Sequence, residues 1–498
     1  EKLKARFPPS LVEVTLIPGL GAKTVRRLHD ELGIATLDDL REAVAAKRIR
    51  GLKGMGPKAE ENIAQQLERL GDEGPSERVL LSDALPIAER LVEVLSEHPG
   101  CEAVSIAGSA RRLAETCKDI DLIATATDPV AVSTALVEHP LAASGGRPSA
   151  NGVRVTTYNG VAVDLRIVPP EEYGNLLQHF TGSQRHNVEL RERAVRMGLS
   201  VSEHGITEVE TGQVEKHTTE AAVYERLGLR YIEPELREGR GELRAAEADE
   251  LPELVERSDI RGDLHMHTTL SDGKNSLEEM AEACRELGYR YVAITDHSAS
   301  HGFGNHVTAA QLEARIEEIA ELNERYDPRR FRVLAGSEVN IGTDGSLDYP
   351  DELLARLDWV IASVHTSFRM TRANMTKRMV AAVENPLVDC LGHPSGRLLL
   401  RREGYDFDLE AVVEAAARAG TFIEINGNPN RRDLSERGAR LAAEAGVKIC
   451  LNTDAHRVST LENMRYAIAT ARRAWLGPKQ VANVRTWAQF QKLRKKRA

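Results

Sequence analysis

Along the C-terminal half of the chain, short apolar runs alternate with stretches in which apolar residues recur every three or four positions. Tyr291-Val292-Ala293-Ile294, Val333-Leu334-Ala335, Trp359-Val360-Ile361-Ala362, Val388-Asp389-Cys390-Leu391 and Val447-Lys448-Ile449-Cys450-Leu451 have the length and near-continuous hydrophobicity of parallel strands buried on both faces. Between them, 277–287, 309–324 and 409–419 carry the helical period. The alternation predicts an α/β barrel. Upstream, Val104-Ser105-Ile106-Ala107, Ile120 to Ile123 and Val161 to Val168 predict a second set of strands. The first 75 residues instead show two glycine turns running into amphipathic helices, with Thr36-Leu37-Asp38-Asp39-Leu40 as a capped helix start between them. Residues 233–260 are charged, open with Pro234, and hold Gly239 and Gly241. They read as an acidic linker with a short helix near 245–255. The basic end, Lys492 to Arg497, reads as a solvated, frayed helix terminus.

At 498 residues the chain exceeds what one core organises, so several domains are expected. No apolar run approaches the roughly 18 residues of a membrane span, and no leader with a cleavage site is present. Cys101, Cys117, Cys284, Cys390 and Cys450 form no short-spaced pair, which fits a reducing compartment. A cytoplasmic protein without membrane attachment follows. The net charge of −10 alone speaks against nucleic acid, but its distribution is uneven. Residues 1–58 hold 12 Lys and Arg against 7 Asp and Glu, whereas 233–263 hold 5 against 11. The chain opens at Glu1 in a polar, helix-like piece, which suggests a fragment of a longer protein.

Metal-ligand residues recur where the C-terminal apolar runs end. His265 and His267 would leave one face of an extended segment about 7 Å apart. Asp272, His297, Glu338, His365, His393, Asp454 and His456 follow at or just after successive runs. In an α/β barrel the strand C-termini converge on one face, so these nine side chains would meet there. Nine N and O donors are too many for one ion and suit a cluster of two or three, with Glu338 and Asp454 able to bridge. Mixed imidazole and carboxylate ligation favours Zn, Mn or Fe over Ca, and the lack of Cys among these positions argues against a structural zinc.

A second constellation lies in 104–168. The strand ending at Ala107 turns through Gly108-Ser109 into Arg111 and Arg112, and is followed by Asp119-Ile120-Asp121 and, in another apolar strand, Asp164. Asp119 and Asp121 share a strand face, while Ile120, Leu122 and Ile123 pack inward. Parallel carboxylates repel unless a divalent cation lies between them. Three of them on neighbouring strands suit two Mg²⁺ ions in phosphoryl transfer. In the first 75 residues, Leu16-Ile17-Pro18-Gly19-Leu20-Gly21-Ala22-Lys23 and Leu52-Lys53-Gly54-Met55-Gly56-Pro57-Lys58 each place bare glycine backbone at a helix start, where N–H groups can meet a phosphate oxygen.

These motifs resemble known families. His265-Met266-His267, Asp272, Asp296-His297, Glu338, His365, His393 and Asp454-Ala455-His456 resemble the PHP (polymerase and histidinol phosphatase) domain, with all nine ligand positions of its trinuclear site filled. That implies a distorted seven-stranded (βα) barrel with metal-dependent phosphoesterase chemistry and two or three Zn²⁺ or Mn²⁺ ions. The Gly-Ser, Arg-Arg, Asp-x-Asp and strand-Asp order resembles a nucleotidyltransferase palm. With Phe180-Thr181-Gly182-Ser183, Asn187 and Arg191, it is more specifically similar to family X DNA polymerases. By that resemblance Asp119, Asp121 and Asp164 are catalytic, Gly108, Ser109, Arg112 and Arg78 hold a dNTP triphosphate, and Gly182, Asn187 and Arg191 shape the nascent base pair. His179 stands where vertebrate members carry Tyr, and Gln184 where they carry an acid. The glycine turns resemble helix-hairpin-helix modules, whose Gly19, Leu20, Gly21, Lys23, Gly54 and Gly56 would grip DNA backbone without reading bases, Arg26 and Arg27 adding charge.

The whole resembles the bacterial family X DNA polymerases that carry a C-terminal PHP domain, with their small N-terminal lyase-type domain expected before Glu1. The implied organisation is multidomain α/β. It comprises a helix-hairpin-helix region (1–75), an α+β palm (76–170), a nucleotide- and template-binding subdomain (171–232), the linker (233–260) and the PHP domain (261–498). The implied function is gap-filling DNA synthesis in base-excision-type repair by a monomer acting on gapped or primer-template DNA, joined to a 3′→5′ exonuclease or phosphodiesterase. Two alternatives stand beside it: a phosphoesterase whose palm only holds DNA, and a repair scaffold without catalysis.

Overall fold

In the computed structural model the apolar runs of the C-terminal half become one seven-stranded parallel sheet in sequential order: Gly262–Asp263, Tyr291–Ile294, Val333–Asn340, Trp359–Ser363, Cys390–Leu391, Phe422–Asn426 and Ile449–Asn452. Parallel pairing requires a crossover after each strand, and the helical stretches supply most of them, as Leu277–Glu286, Ala309–Asn323, Arg372–Glu384, Leu409–Ala419 and Glu436–Glu444. A parallel bridge between Met266 and Ala455, and the bond from His267 N to Ala455 O (2.8 Å), bring the first strand's end against the last. The sheet therefore curls into a nearly closed barrel. Its inner plug is aromatic at the N-terminal end, where Trp359, Phe422 and Phe490 stack with centroids 5.6–5.9 Å apart. At the other end the ligand residues emerge.

The structure describes residues 22–52, 55–57, 59–61, 63–64, 78–300 and 306–494, and the chain divides into two units, Glu1–Glu77 and Arg78–Ala498. In the first, helices Ala22–Leu32 and Leu37–Ala45 enclose a small core of Val25, Leu28, Ile34, Leu40, Ala43 and Ile49. Thr36 and Asp39 form the reciprocal capping box that the sequence predicts. Gly33, at φ +70°, closes the preceding helix, a conformation in which a Cβ would be strained.

The second unit joins the palm, the subdomain that follows it and the barrel. The palm is a five-stranded mixed sheet in the order Cys101–Ile106, Asp119–Ala126, Ala162–Ile167, Gly152–Thr157, Ala142–Gly145. The strands Asp119–Ala126 and Ala162–Ile167 pair in parallel and put Asp121 directly beside Asp164. Ile120 and Leu122 point into the palm core, as alternation requires, whereas Ile123, expected to point the same way, lies on the face of the two acids and packs with Ala107, Leu176 and Leu177. The following subdomain packs helices Tyr173–Thr181, Gln184–Arg196 and Glu220–Arg226 against a three-stranded antiparallel sheet. Ser183 caps the second of these helices, its side chain accepting from the His186 N–H.

The stretch 233–260, expected as an acidic linker with a short helix, is packed against the rest of the unit. Its helices are Pro234–Leu236 and Glu242–Glu247, shifted from the expected 245–255, and Glu235, Arg237 and Glu242 are buried. Its charges point inward to opposite charges from other segments. Arg237 Nη1 bonds Glu220 (2.5 Å), and Glu242 bonds His186 Nδ1 (2.8 Å), whose Nε2 meets Tyr224 Oη (2.9 Å). At the C-terminus, Arg494 is not frayed into solvent but pairs with Asp389 (3.1 Å). No helix among the described residues is long and apolar enough to cross a membrane.

Glu220 also takes Arg111 Nη2 (2.5 Å), so it compensates two guanidinium groups in a nearly dry setting. Its replacement by Ala strands Arg237 without a carboxylate. Glu220→Ala is therefore expected to destabilise the second unit by about 3–5 kcal/mol, measured by urea unfolding. A loss under about 1 kcal/mol, the scale of a solvated surface pair, would contradict the burial argument.

Candidate active sites

At the barrel mouth the nine predicted ligand residues meet. Asp272, His297, Glu338, His365, His393, Asp454 and His456 lie at or just past strand C-termini, and His265 and His267 follow the first strand. The ligand atoms of eight of them form three overlapping groups, each within 4.8 Å: His267, Asp272, His297 and His456; His265, His267 and Asp454; and His297, Glu338 and His365. His393 joins through Glu338. Glu338 sits at the centre. Its Oε2 faces His297 Nδ1 (2.9 Å), His265 Nε2 (3.3 Å) and His267 Nε2 (3.6 Å), while Oε1 faces His393 Nε2 (2.8 Å) and His365 Nε2 (3.2 Å). Asp454 Oδ1 lies 3.1 Å from His267 Nε2. His393 and Asp454 adopt positive φ (+25° and +54°), backbone strain of the kind that collects at functional sites.

The electrostatics explain why the cluster suits cations. Glu338 Oε2, His265 Nε2 and His267 Nδ1 are buried without a hydrogen-bond partner, a costly state for polar atoms unless a metal takes them. Against the pull of burial, Glu424, Glu338 and Asp454 push the His265 imidazole well above its ordinary value. His456 rises to about 9 because Asp272 and Asp454 outweigh burial. His267 falls to about 4 through burial and the neighbouring imidazoles of His456 and His297, and His365 falls to about 4 chiefly through burial. In the protein by itself, protons on His265 and His456 balance the carboxylates, and divalent cations bound by the same atoms would displace them. The donor set fits metal ions and the site is of a metal-dependent kind.

Around it stands a layer that the sequence reading missed. Glu424 accepts from His265 Nδ1 (2.7 Å), from the His393 backbone N–H (2.8 Å) and from Asn452 (2.9 Å). Asp296 accepts from Thr268 and Ser271, both at 2.7 Å, and Asp263 accepts from Thr453 (2.6 Å). Arg431 Nε lies 3.8 Å from Asp454 Oδ2. The available signal for Glu424 was a charged residue in the middle of Phe422-Ile423-Glu424-Ile425-Asn426, an otherwise apolar strand. Removing its charge frees the His265 ring to turn, so Glu424→Gln is expected to weaken divalent-metal affinity of the barrel by about 10–100-fold, read by competition with a chromophoric chelator. Unchanged affinity would remove Glu424 from this role.

In the palm, Asp119, Asp121 and Asp164 share one sheet face, half-buried, with Asp121 and Asp164 as register partners. Arg166 stands 3.4 Å from Asp164. The three are more open than most of the barrel residues and do not gather within 4.8 Å of one another. Burial first, and then Asp119 and Asp164, push Asp121 up to about 6. Gly108 is indispensable beside it: at φ +63°, a Cβ there would sit 2.1 Å from Asp121 Oδ2. An all-carboxylate donor set of this kind fits a hard cation such as Mg²⁺.

The other predicted palm residues lie around this face. Gly108 and Ser109 open the short helix Gly108–Arg111. Arg112 donates to Thr181 O (2.6 Å) and Glu238 Oε1 (3.0 Å), and Gly182 lies against its guanidinium. Arg78 bonds Thr116 through Oγ1 (2.8 Å) and O (2.7 Å). Asn187 is gripped by Gln178 (2.9 Å) and the His179 carbonyl (2.7 Å), and Arg191 reaches His179 Nδ1 (3.5 Å). In the first unit, Gly19, Leu20, Gly21 and Gly54 fall outside the described residues, and Lys23 is described only as helix backbone. Gly56 is exposed at a helix start. Arg26 and Arg27 pair along their own helix with Asp30 (3.5 Å) and Glu31 (3.1 Å).

A carboxyl held near 6 rather than 3.8 keeps its proton longer in the folded chain than in the unfolded one. Stability of the metal-free protein should therefore fall as pH rises from about 4 to about 6 and stay lower above it, by about 2–3 kcal/mol. Asp121→Asn is expected to recover that amount at pH 7.5 and to flatten the dependence, as followed by thermal melting in chelator. An unaltered pH profile would contradict the repulsion.

A nucleotidyltransferase-type palm and a barrel with a multinuclear-type donor set on one chain define a two-site phosphoryl-transfer protein of the polymerase class. Family models match as "SAM-like Helix-hairpin-helix tandem" over 11–69, "DNA polymerase beta thumb" over 176–238 and "PHP domain" over 263–428. A Bacillus subtilis relative, the DNA polymerase/3′-5′ exonuclease PolX, is 40% identical over 489 residues, covering 98% of this chain and 85% of the relative. Probable phosphatases of Caldanaerobacter subterraneus (34% identical; 39% of this chain, 75% of theirs) and Syntrophotalea carbinolica (27% identical; 44% and 90%) match over part of the chain. The chain belongs to the PolX family of DNA polymerase/3′-5′ exonucleases.

Proposed function

We infer that this chain is a DNA polymerase that extends a primer 3′-hydroxyl in short gaps and carries a metal-dependent 3′→5′ exonuclease or phosphodiesterase in its barrel. The observation that carries this reading is family membership across nearly the whole chain with both constellations of metal-ligand residues intact. In this reading residues 1–75 grip DNA backbone, 76–170 form the palm, 171–232 face the nascent base pair and 261–498 cleave. Asp119, Asp121 and Asp164 would hold two Mg²⁺, and the nine barrel residues two or three Zn²⁺ or Mn²⁺. When bound, such ions supply Lewis acidity toward phosphate oxygens and make an attacking oxygen more acidic.

The chain's own residues do the rest. Asp121, the carboxyl pushed up to about 6, gives up its proton before the palm takes cations. Gly108 keeps the turn low against Asp121, so that Ser109 and Arg112 can approach a dNTP triphosphate. Gln178 and the His179 carbonyl pre-set the Asn187 amide, and Gly182 and Arg191 complete that wall. In the barrel, Glu424 fixes the His265 ring and Arg431 offers a guanidinium beside Asp454 to a phosphodiester. Five free cysteines, four of them buried, support a cytoplasmic setting, and we read the protein as a monomer. The phosphatase relatives favour one second reading, a barrel phosphoesterase whose palm only holds DNA.

Primer extension and 3′-exonuclease assays on two variants separate the readings. Asp119→Ala is expected to lower extension by about a thousandfold, about 4 kcal/mol of transition-state stabilisation, and to spare the nuclease, with His267→Ala doing the reverse. Extension that survives Asp119→Ala would leave the phosphoesterase reading, and joint loss from either variant would reject two independent sites.

A further inference from the structure

The loop that joins the Gly108–Arg111 turn to Asp119 is held from outside the palm. Arg473, the last residue of the barrel helix Met464–Arg473, donates to the Arg112 carbonyl (2.7 Å), to Glu238 Oε1 (2.8 Å) and to Glu436 Oε1 (3.2 Å). Arg432 donates to the next carbonyl, that of Leu113 (3.0 and 3.1 Å), and Arg397 pairs with Glu115 (2.5 Å). The Glu238 oxygen that receives Arg473 also receives Arg112 Nε, at 3.0 Å. Arg240 joins from the other side, on Glu436 at 2.7 Å.

The charges of this cluster do not balance. Arg112, Arg240 and Arg473 face Glu238 and Glu436, so one positive charge is in surplus. Arg473 is the most enclosed of the three guanidinium groups, its side chain 5% exposed against 14% for Arg112 and 20% for Arg240. Water screens it little, and its attraction for Glu238 is correspondingly strong. Without Arg473, Glu238 would have Arg112 as its one basic partner in the cluster, and the surplus would vanish. Arg112 also acts at distance on Asp121, so the cluster lies within electrostatic reach of the acid face.

We propose that Arg473, a barrel residue, sets nucleotide affinity in the palm by offsetting Glu238, which leaves Arg112 with uncompensated positive charge for the polyphosphate of an incoming nucleotide. Arg473 is a positioning residue: it acts through Glu238 and the Arg112 carbonyl and does not itself meet the nucleotide. The proposal rests on the reading of Arg112 as a triphosphate ligand.

Single-nucleotide insertion on gapped DNA by the full chain tests it, with the nuclease assayed alongside as a check on folding. Arg473→Met is expected to raise KM for dNTP about tenfold with kcat changed less than about threefold, and to leave the nuclease unaltered. Adding Glu238→Gln to Arg473→Met removes the anion left facing Arg112 and should restore KM to within about threefold of the parent. A merely structural lesion would be compounded by the second change. An unmoved KM in Arg473→Met, or no relief in the double variant, overturns the proposal. Should Arg473→Met fail to fold, Glu238→Gln alone decides: it should lower KM, and an unchanged or higher value is the overturning result. Arg112→Ala tells the two readings apart. If it leaves KM unmoved, the triphosphate reading falls and this proposal with it. If it raises KM while Arg473→Met does not, this proposal alone falls.

Discussion

Glu338 lies at the bottom of the barrel mouth with both carboxylate oxygens ringed by imidazoles and almost no exposure to water. A carboxylate in such a place costs several kcal/mol unless opposite charge is supplied on the spot. The arrangement around it follows from that need. Imidazoles converge from successive strands, Glu424 and Asp454 raise the proton affinity of His265, and His393 and Asp454 accept positive φ to stay in reach. Such a centre is costly for the chain by itself and favourable with cations bound, which is the thermodynamic signature of a site built to bind metal.

The palm answers the same demand less completely. Asp121 and Asp164 are forced together by strand register, and Arg166 and Arg112 partly relieve Asp121. Repulsion there lowers the stability of the metal-free protein and favours a hard divalent cation beside the carboxylates. The two sites thus differ as their chemistry requires. The barrel presents buried mixed nitrogen and oxygen donors, and the palm presents an open carboxylate face that substrate itself can complete.

Between them lies a seam of arginines and glutamates. Arg397, Arg432 and Arg473 reach from the barrel to carbonyls or carboxylates of the palm loop, and Arg472 pairs with Glu235 (2.6 Å). Each guanidinium carries several donors in a fixed fork, so one side chain can hold a backbone carbonyl and a carboxylate together. This is why the acidic stretch 233–260, with its ten acids, is packed and not solvated. Its charges belong to a distributed set of ion pairs with partners far away in sequence.

What could be learned without coordinates was set by local and periodic physics. Two-residue alternation placed Asp119 and Asp121 on one face, apolar runs marked the strands, and the end of each run marked where a ligand would emerge. The nine residues that meet at the barrel mouth were legible partly for that reason and partly through the resemblance to the PHP domain. The capping box at Thr36 and Asp39 was equally local. Glu424 was not visible as a supporting residue, because a single charge within an apolar strand acquires meaning only once the barrel closes and His265 lies 2.7 Å away. The role of 233–260 was misjudged for the same reason: a run of charge reads as solvated until its counter-charges, from Glu220 and Arg473 to Arg472 and His186, are known. The sequence by itself determined which chemistry each segment could carry. Only the tertiary structure decided which charges neutralise one another, since Coulomb energy depends on distance through space and burial, and neither is written in the order of residues.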